Sequence, residues 1–194
     1  KGVPAALFMA VTRSFLRSAF RTDSEPAKVM NHINRELDDG NESCMFVTLF
    51  CAVVDLREGR VQYANAGHNS PVIRHPDGRL EWISEPRGPI AGVIREASYS
   101  AGSVVLPTDA TLVLYTDGVT EAMNAAKEFY GDARLAAQLR AAGSHGDCRT
   151  VIEGLLADIR AFAAGAEPSD DITVLALKRR TAAPDEESAC YSKR

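Results

Sequence analysis

Cysteine is scarce: four among 194 residues (Cys44, Cys51, Cys148 and Cys190), with no two in Cys-x-x-Cys spacing. That spacing speaks against a zinc ribbon, and without a secretory leader at the first residues no disulfide framework is expected. Cys44 and Cys51 fall in an apolar, strand-like run, where cysteine behaves as a small hydrophobe. The chain also lacks basic excess. Its 22 lysines and arginines stand against 26 acidic residues, giving a formal charge of −4. A nucleic-acid binder usually shows a basic patch, and no basic run suits a membrane surface. No apolar run approaches the ~18 to 20 residues that cross a bilayer. The expectation is one cytoplasmic domain, with neither nucleic acid nor membrane insertion.

What is present has two periods. Pro4 to Phe20 places Phe8, Met9, Phe15, Leu16 and Phe20 near helical spacing, with Pro4 in the first turn. A second helix is expected over Glu25–Asp38, capped by Ser24 and striped by Val29, Met30, Ile33 and Leu37, with Gly40 ending it. From residue 44 to 115 the pattern turns to β. Met45–Asp55 and Val61–Ala64 flank a Glu58-Gly59 turn; Pro71–Arg74 and Leu80–Ile83 flank Asp77-Gly78, a strong hairpin signal. Tyr99–Leu106 and Thr111–Tyr115 bring the total to about six short antiparallel strands. Helices are expected again at Asp132–Ala142 and Cys148–Ala164, then a strand at Ile172–Leu177. Residues 179–194 are polar and without period, and read as a disordered tail after a domain ending near 178. Helices, antiparallel strands, then helices and a last strand indicate an α+β fold with helices packed on sheets.

The chemistry gathers at two strand ends. Asp117 closes Thr111–Tyr115, and Asp170 with Asp171 opens Ile172–Leu177. If these strands adjoin, the acids share one sheet edge. Converging carboxylates repel, and a divalent cation relieves the repulsion. All-oxygen ligands suit Mg²⁺ or Mn²⁺. His68, in Gly67-His68-Asn69-Ser70-Pro71, reads as a turn residue because its neighbours are loop formers. Thr120 and Glu121 read as loop-orienting residues. Gly88–Gly92 lacks nucleotide-loop spacing.

Four motifs occur in order: Lys1-Gly2-Val3-Pro4-Ala5-Ala6-Leu7, Asn65-Ala66-Gly67-His68-Asn69-Ser70-Pro71, Tyr115-Thr116-Asp117-Gly118-Val119-Thr120-Glu121-Ala122 and Ser169-Asp170-Asp171-Ile172-Thr173. Together they resemble the bacterial sporulation-phosphatase and stress-sigma-regulator branch of the type 2C-like, metal-dependent serine/threonine phosphatases, over residues 1 to about 178. The resemblance implies a β-sandwich flanked by helices, with two Mn²⁺ or Mg²⁺ ions at one end. It implies for Asp117 the bridging carboxylate, for Asp170 a further ligand, and for Asp171 a lesser place beside the metal, directly or through water. Two ions ~3.5 to 4 Å apart acidify water and neutralise phosphoryl oxygens. The implied substrate is a phosphorylated anti-sigma-factor antagonist, and relatives carry sensor or receiver modules upstream.

Relatives also carry a Gly-Asp segment and an Asp-x-Ser-Gly run before the position of Lys1, which residues 1–194 do not contain. An N-terminally incomplete domain, lacking its first strands and weak in metal binding, is therefore the expectation. The rival readings are a non-catalytic module of the same fold that docks a regulatory partner, and a hydrolase of small phosphate esters. Neither a Gly-rich phosphate cradle nor a base-stacking aromatic cluster supports the last.

Overall fold

Two sheets, each covered on its outer side by a helix pair, are what the alternating strands and amphipathic helices build. The computed structural model describes residues 2–142, 147–166 and 170–180. Its elements run α1 (Val3–Thr22), α2 (Pro26–Asp38), β1 (Leu49–Val54), β2 (Arg60–Ala66), β3 (Val72–Arg74), β4 (Leu80–Trp82), β5 (Gly102–Val105), β6 (Thr111–Tyr115), α3 (Asp117–Thr120), α4 (Gly131–Ala141), α5 (Cys148–Ala163) and β7 (Val174–Lys178). The expected six strands between 44 and 115 form, but they divide between sheets of order β1-β2-β5 and β4-β3-β6-β7, and neighbouring strands in both sheets pair antiparallel.

Period-two alternation sorts side chains onto the two faces of each sheet. Val61 and Tyr63 of β2 meet Ile73 of β3 and Leu112 of β6 between the sheets. On the opposite faces, Ala64 and Ala66 lie under α2, while Val113 and Tyr115 lie under α4 and α5. The layers are therefore α-β-β-α, with three apolar clusters between them. In α2 the expected stripe is fully buried at Val29, Met30, Ile33 and Leu37. Its cap differs from expectation. Glu25 occupies the cap position without a side-chain bond, and Asp23, not Ser24, closes the preceding turn by accepting from the Glu25 N–H at 2.8 Å.

In α1 one expected core residue faces out. Phe8, Phe15, Leu16 and Phe20 pack against the first cluster, and Thr12 and Ala19 are buried. Met9 is 53% exposed, because it sits one residue and ~100° around the helix from Phe8, outside that stripe. The Asp77-Gly78 hairpin forms as read: Gly78 takes φ +84°, and His75 N–H donates to Arg79 O at 2.9 Å. The short helix α3 carries no helical period and was not expected from the sequence. Residues 181–194 of the expected tail and Ser169 lie outside the described residues. Arg179 does not: it donates to the carbonyls of Leu106 and Arg57, and its own carbonyl accepts from Asp109.

The buried Thr111 hydroxyl at the start of β6 has no hydrogen-bond partner among the described residues. An unsatisfied buried hydroxyl costs about 1–3 kcal/mol. Thr111→Val keeps the shape and removes that cost, so the expected result is an unchanged or higher unfolding midpoint in urea. A loss beyond ~1 kcal/mol would show that the hydroxyl is satisfied.

Candidate metal centre

Strands β6 and β7 are neighbours, with Tyr115 opposite Val174, so the segments leaving β6 and entering β7 emerge at one sheet end. The ladder continues past the strands: Thr116 N–H donates to Thr173 O at 3.1 Å. The Thr116 hydroxyl then accepts from Thr173 N–H at 3.0 Å and donates to Asp171 O at 3.1 Å. One threonine thus ties the β6 exit to the acidic loop. Thr116→Val would leave the Thr173 N–H without that acceptor, and the expected cost is about 1–3 kcal/mol together with weaker divalent-metal binding. Thermal melting and a Mn²⁺ titration check both effects.

Gly118 brings the two loops together. A Cβ on it would lie 2.4 Å from Asp171 O and 3.5 Å from the Asp170 carbonyl carbon, so only a hydrogen fits between them. Asp117 begins α3, and its Oδ1 accepts from the Gly118 N–H at 2.9 Å. Asp170 makes the equivalent bond to the Asp171 N–H at 2.9 Å. Asp117, Asp170 and Asp171 are all exposed. Backbone geometry therefore brings all three acids named from the sequence to one sheet end, facing solvent.

Thr120 and Glu121 close α3 on the carbonyl of Asp117, through the Thr120 hydroxyl at 3.2 Å and the Glu121 N–H at 2.8 Å. His68 lies on the loop leaving β2. Asn65 brackets it, accepting from the His68 N–H at 2.8 Å and donating to its carbonyl at 3.0 Å, while His68 Nδ1 lies 3.3 Å from the Thr48 hydroxyl. Burial holds its imidazole below the ordinary histidine value; the Asp117 charge opposes this and Arg87 reinforces it. Arg87 is held to this loop by donating to Gly67 O at 3.0 Å. No motif marks Arg87. Only the pairing of its loop with residues 65–67, through Gly88 and Asn65, brings it here.

The donor chemistry suits a hard divalent cation. Among the described residues no group of three or more His, Cys, Asp and Glu side chains could hold a metal ion by itself. Mg²⁺ is commonly held by one or two carboxylates with several waters retained, and exposed acids on adjoining loops match that mode. No described helix is long and apolar enough to cross a membrane.

Comparison with known proteins agrees with this architecture. Residues 1–180 match the model of the family described as Stage II sporulation protein E (SpoIIE). Protein IcfG of Synechocystis sp. is 29% identical over 208 residues, covering 92% of this chain and 32% of IcfG. Phosphoserine phosphatase RsbU of Bacillus subtilis is 29% identical over 121 residues, covering 62% of this chain and 36% of RsbU. The chain thus spans about a third of the length of the curated relatives it matches. Among solved structures, the SiaA-PP2C domain of Pseudomonas aeruginosa superposes with a TM-score of 0.78 at 21% identity, covering 91% of this chain and 71% of that one. The RsbU and RsbW domains of Rv1364c from Mycobacterium tuberculosis give 0.76 at 24% identity, covering 94% and 50%. The chain belongs to the family described as Stage II sporulation protein E (SpoIIE).

Proposed function

We propose that this chain is the catalytic domain of a protein serine/threonine phosphatase dependent on Mn²⁺ or Mg²⁺. The observation that supports this most is the joining of the Asp117 and Asp170–Asp171 loops through Gly118 and Thr116. In this reading Asp117 and Asp170 hold the metal, and Asp171 stands beside it. Divalent ions held there would supply Lewis acidity toward water and toward the phosphoryl oxygens. The chain's own residues fix the loops, keep the acids open to solvent and close α3 beneath Asp117.

The substrate in this proposal is a phosphorylated anti-sigma-factor antagonist. The names of RsbU and RsbP, both phosphoserine phosphatases of Bacillus subtilis, support a phosphoserine substrate, and the motif resemblance supports the antagonist. Sensor or receiver modules in a longer protein would govern the activity. The test is phosphate release from a phosphoserine-bearing antagonist protein by the full-length protein, with Mn²⁺ and then with chelator. Release that requires the metal is the expected result. Tight binding of the phosphoprotein without release would instead make this a docking module.

A further inference from the structure

A polar cleft of about 500 Å³ opens at the same sheet end as the acids, on the side covered by α4. Strand register places it there. Val72 pairs with both Val113 and Trp82, and Ile83 N–H donates to Pro71 O, so Ser70 and Ser84 fall beside Tyr115, two residues before Asp117. Thr120, which bonds the Asp117 carbonyl, lines the cleft as well. The volume is that of a ligand pocket and is too large for a phosphoryl group alone.

Two charged side chains of opposite sign line it. Arg87 is tied to the loop that carries His68. Asp132 stands exposed in the first turn of α4. The rings of Trp82 and Tyr115, also in the lining, meet edge to face, 6.4 Å apart at 83°. Asp132 lines the same cleft as these two rings. Ser70, Ser84 and Asn69 add hydroxyl and amide groups suited to a peptide backbone. The partly exposed Trp82 ring in a cleft that also holds a carboxylate suits a long cationic side chain, whose stem packs on the ring while its head reaches the acid.

We propose that this cleft seats the polypeptide flanking the phosphorylated residue, with a substrate lysine or arginine laid along Trp82 toward Asp132. The assignment rests on the phosphatase reading of the adjoining acids. It makes the enzyme selective for phosphoproteins with a basic residue near the phosphosite, and it disfavours a small phosphate ester as the natural substrate.

The test uses two fluorescein-labelled phosphoserine peptides, identical except for lysine or glutamate at the flanking positions. Their Kd values for the full-length protein are measured by anisotropy in chelator, so that no turnover intervenes. Asp132 is exposed, and Asp132→Asn leaves packing intact. A partly exposed ion pair changes affinity by about fivefold. The expected result is about fivefold tighter binding of the lysine peptide, a preference that disappears in Asp132→Asn. Equal Kd values in the native protein, absence of peptide binding, or a preference that survives Asp132→Asn would overturn the assignment. Hydrolysis of p-nitrophenyl phosphate by the native protein with Mn²⁺, measured separately, reports on the phosphatase reading alone. Hydrolysis without peptide discrimination rejects the cleft and keeps the phosphatase, whereas discrimination without hydrolysis rejects the phosphatase and keeps the cleft as a phosphopeptide-binding site.

Discussion

Asp117→Asn in the full-length protein is expected to remove Mn²⁺-dependent phosphate release while leaving the melting temperature nearly unchanged. The side chain is exposed at the first position of α3, so no packing is lost. An asparagine oxygen can still accept the Gly118 N–H that Asp117 Oδ1 holds at 2.9 Å. What disappears is the charge. Altering groups that merely support a metal ligand costs 10–100-fold in affinity or activity, so neutralising a ligand should cost about a hundredfold or more. Activity and melting measured on one preparation separate the two effects. Turnover within a few-fold of native would remove Asp117 from the metal site.

The second large effect is expected at a residue with no functional group. Gly118→Ala would set a methyl 2.4 Å from the Asp171 carbonyl oxygen, and neither side of that contact is a flexible side chain. The strain must be relieved by parting the loop after β6 from the loop before β7. Overpacking of this kind costs about 1–3 kcal/mol. Parting the loops also separates Asp117 from Asp170, so metal affinity should fall further than stability does. Urea denaturation gives the first quantity and a Mn²⁺ titration the second. A folded variant with native metal affinity would show that the close approach is incidental to the site.

The sequence revealed the acids more readily than the surface around them. Asp117 and Asp170 flank apolar β-type runs, and that local pattern needs only strand adjacency to place them together, which the Tyr115–Val174 pairing supplies. The Asp77-Gly78 hairpin and the α2 stripe were equally legible, since turn chemistry and helical period act over a few residues. Helix phase at Met9 is ambiguous in the sequence: several apolar residues lie near helical spacing, and only packing on the first cluster selects the Phe8–Thr12–Ala19 face. The division of six strands between two sheets is a long-range choice with no local signature. Arg87, Trp82 and Asp132 come from three separate segments; the strand registers place Trp82 and the Gly88–Asn65 pairing places Arg87, so no motif could announce the cleft they line.

Isothermal titration of Mn²⁺ into the full-length protein and into Asp117→Asn is the most direct test of the central claim, that the joined ends of β6 and β7 hold the catalytic metal. Saturable binding is expected in the native protein, with loss of at least one site, or of about a hundredfold in affinity, in the variant. Superimposable isotherms for the two proteins would contradict it.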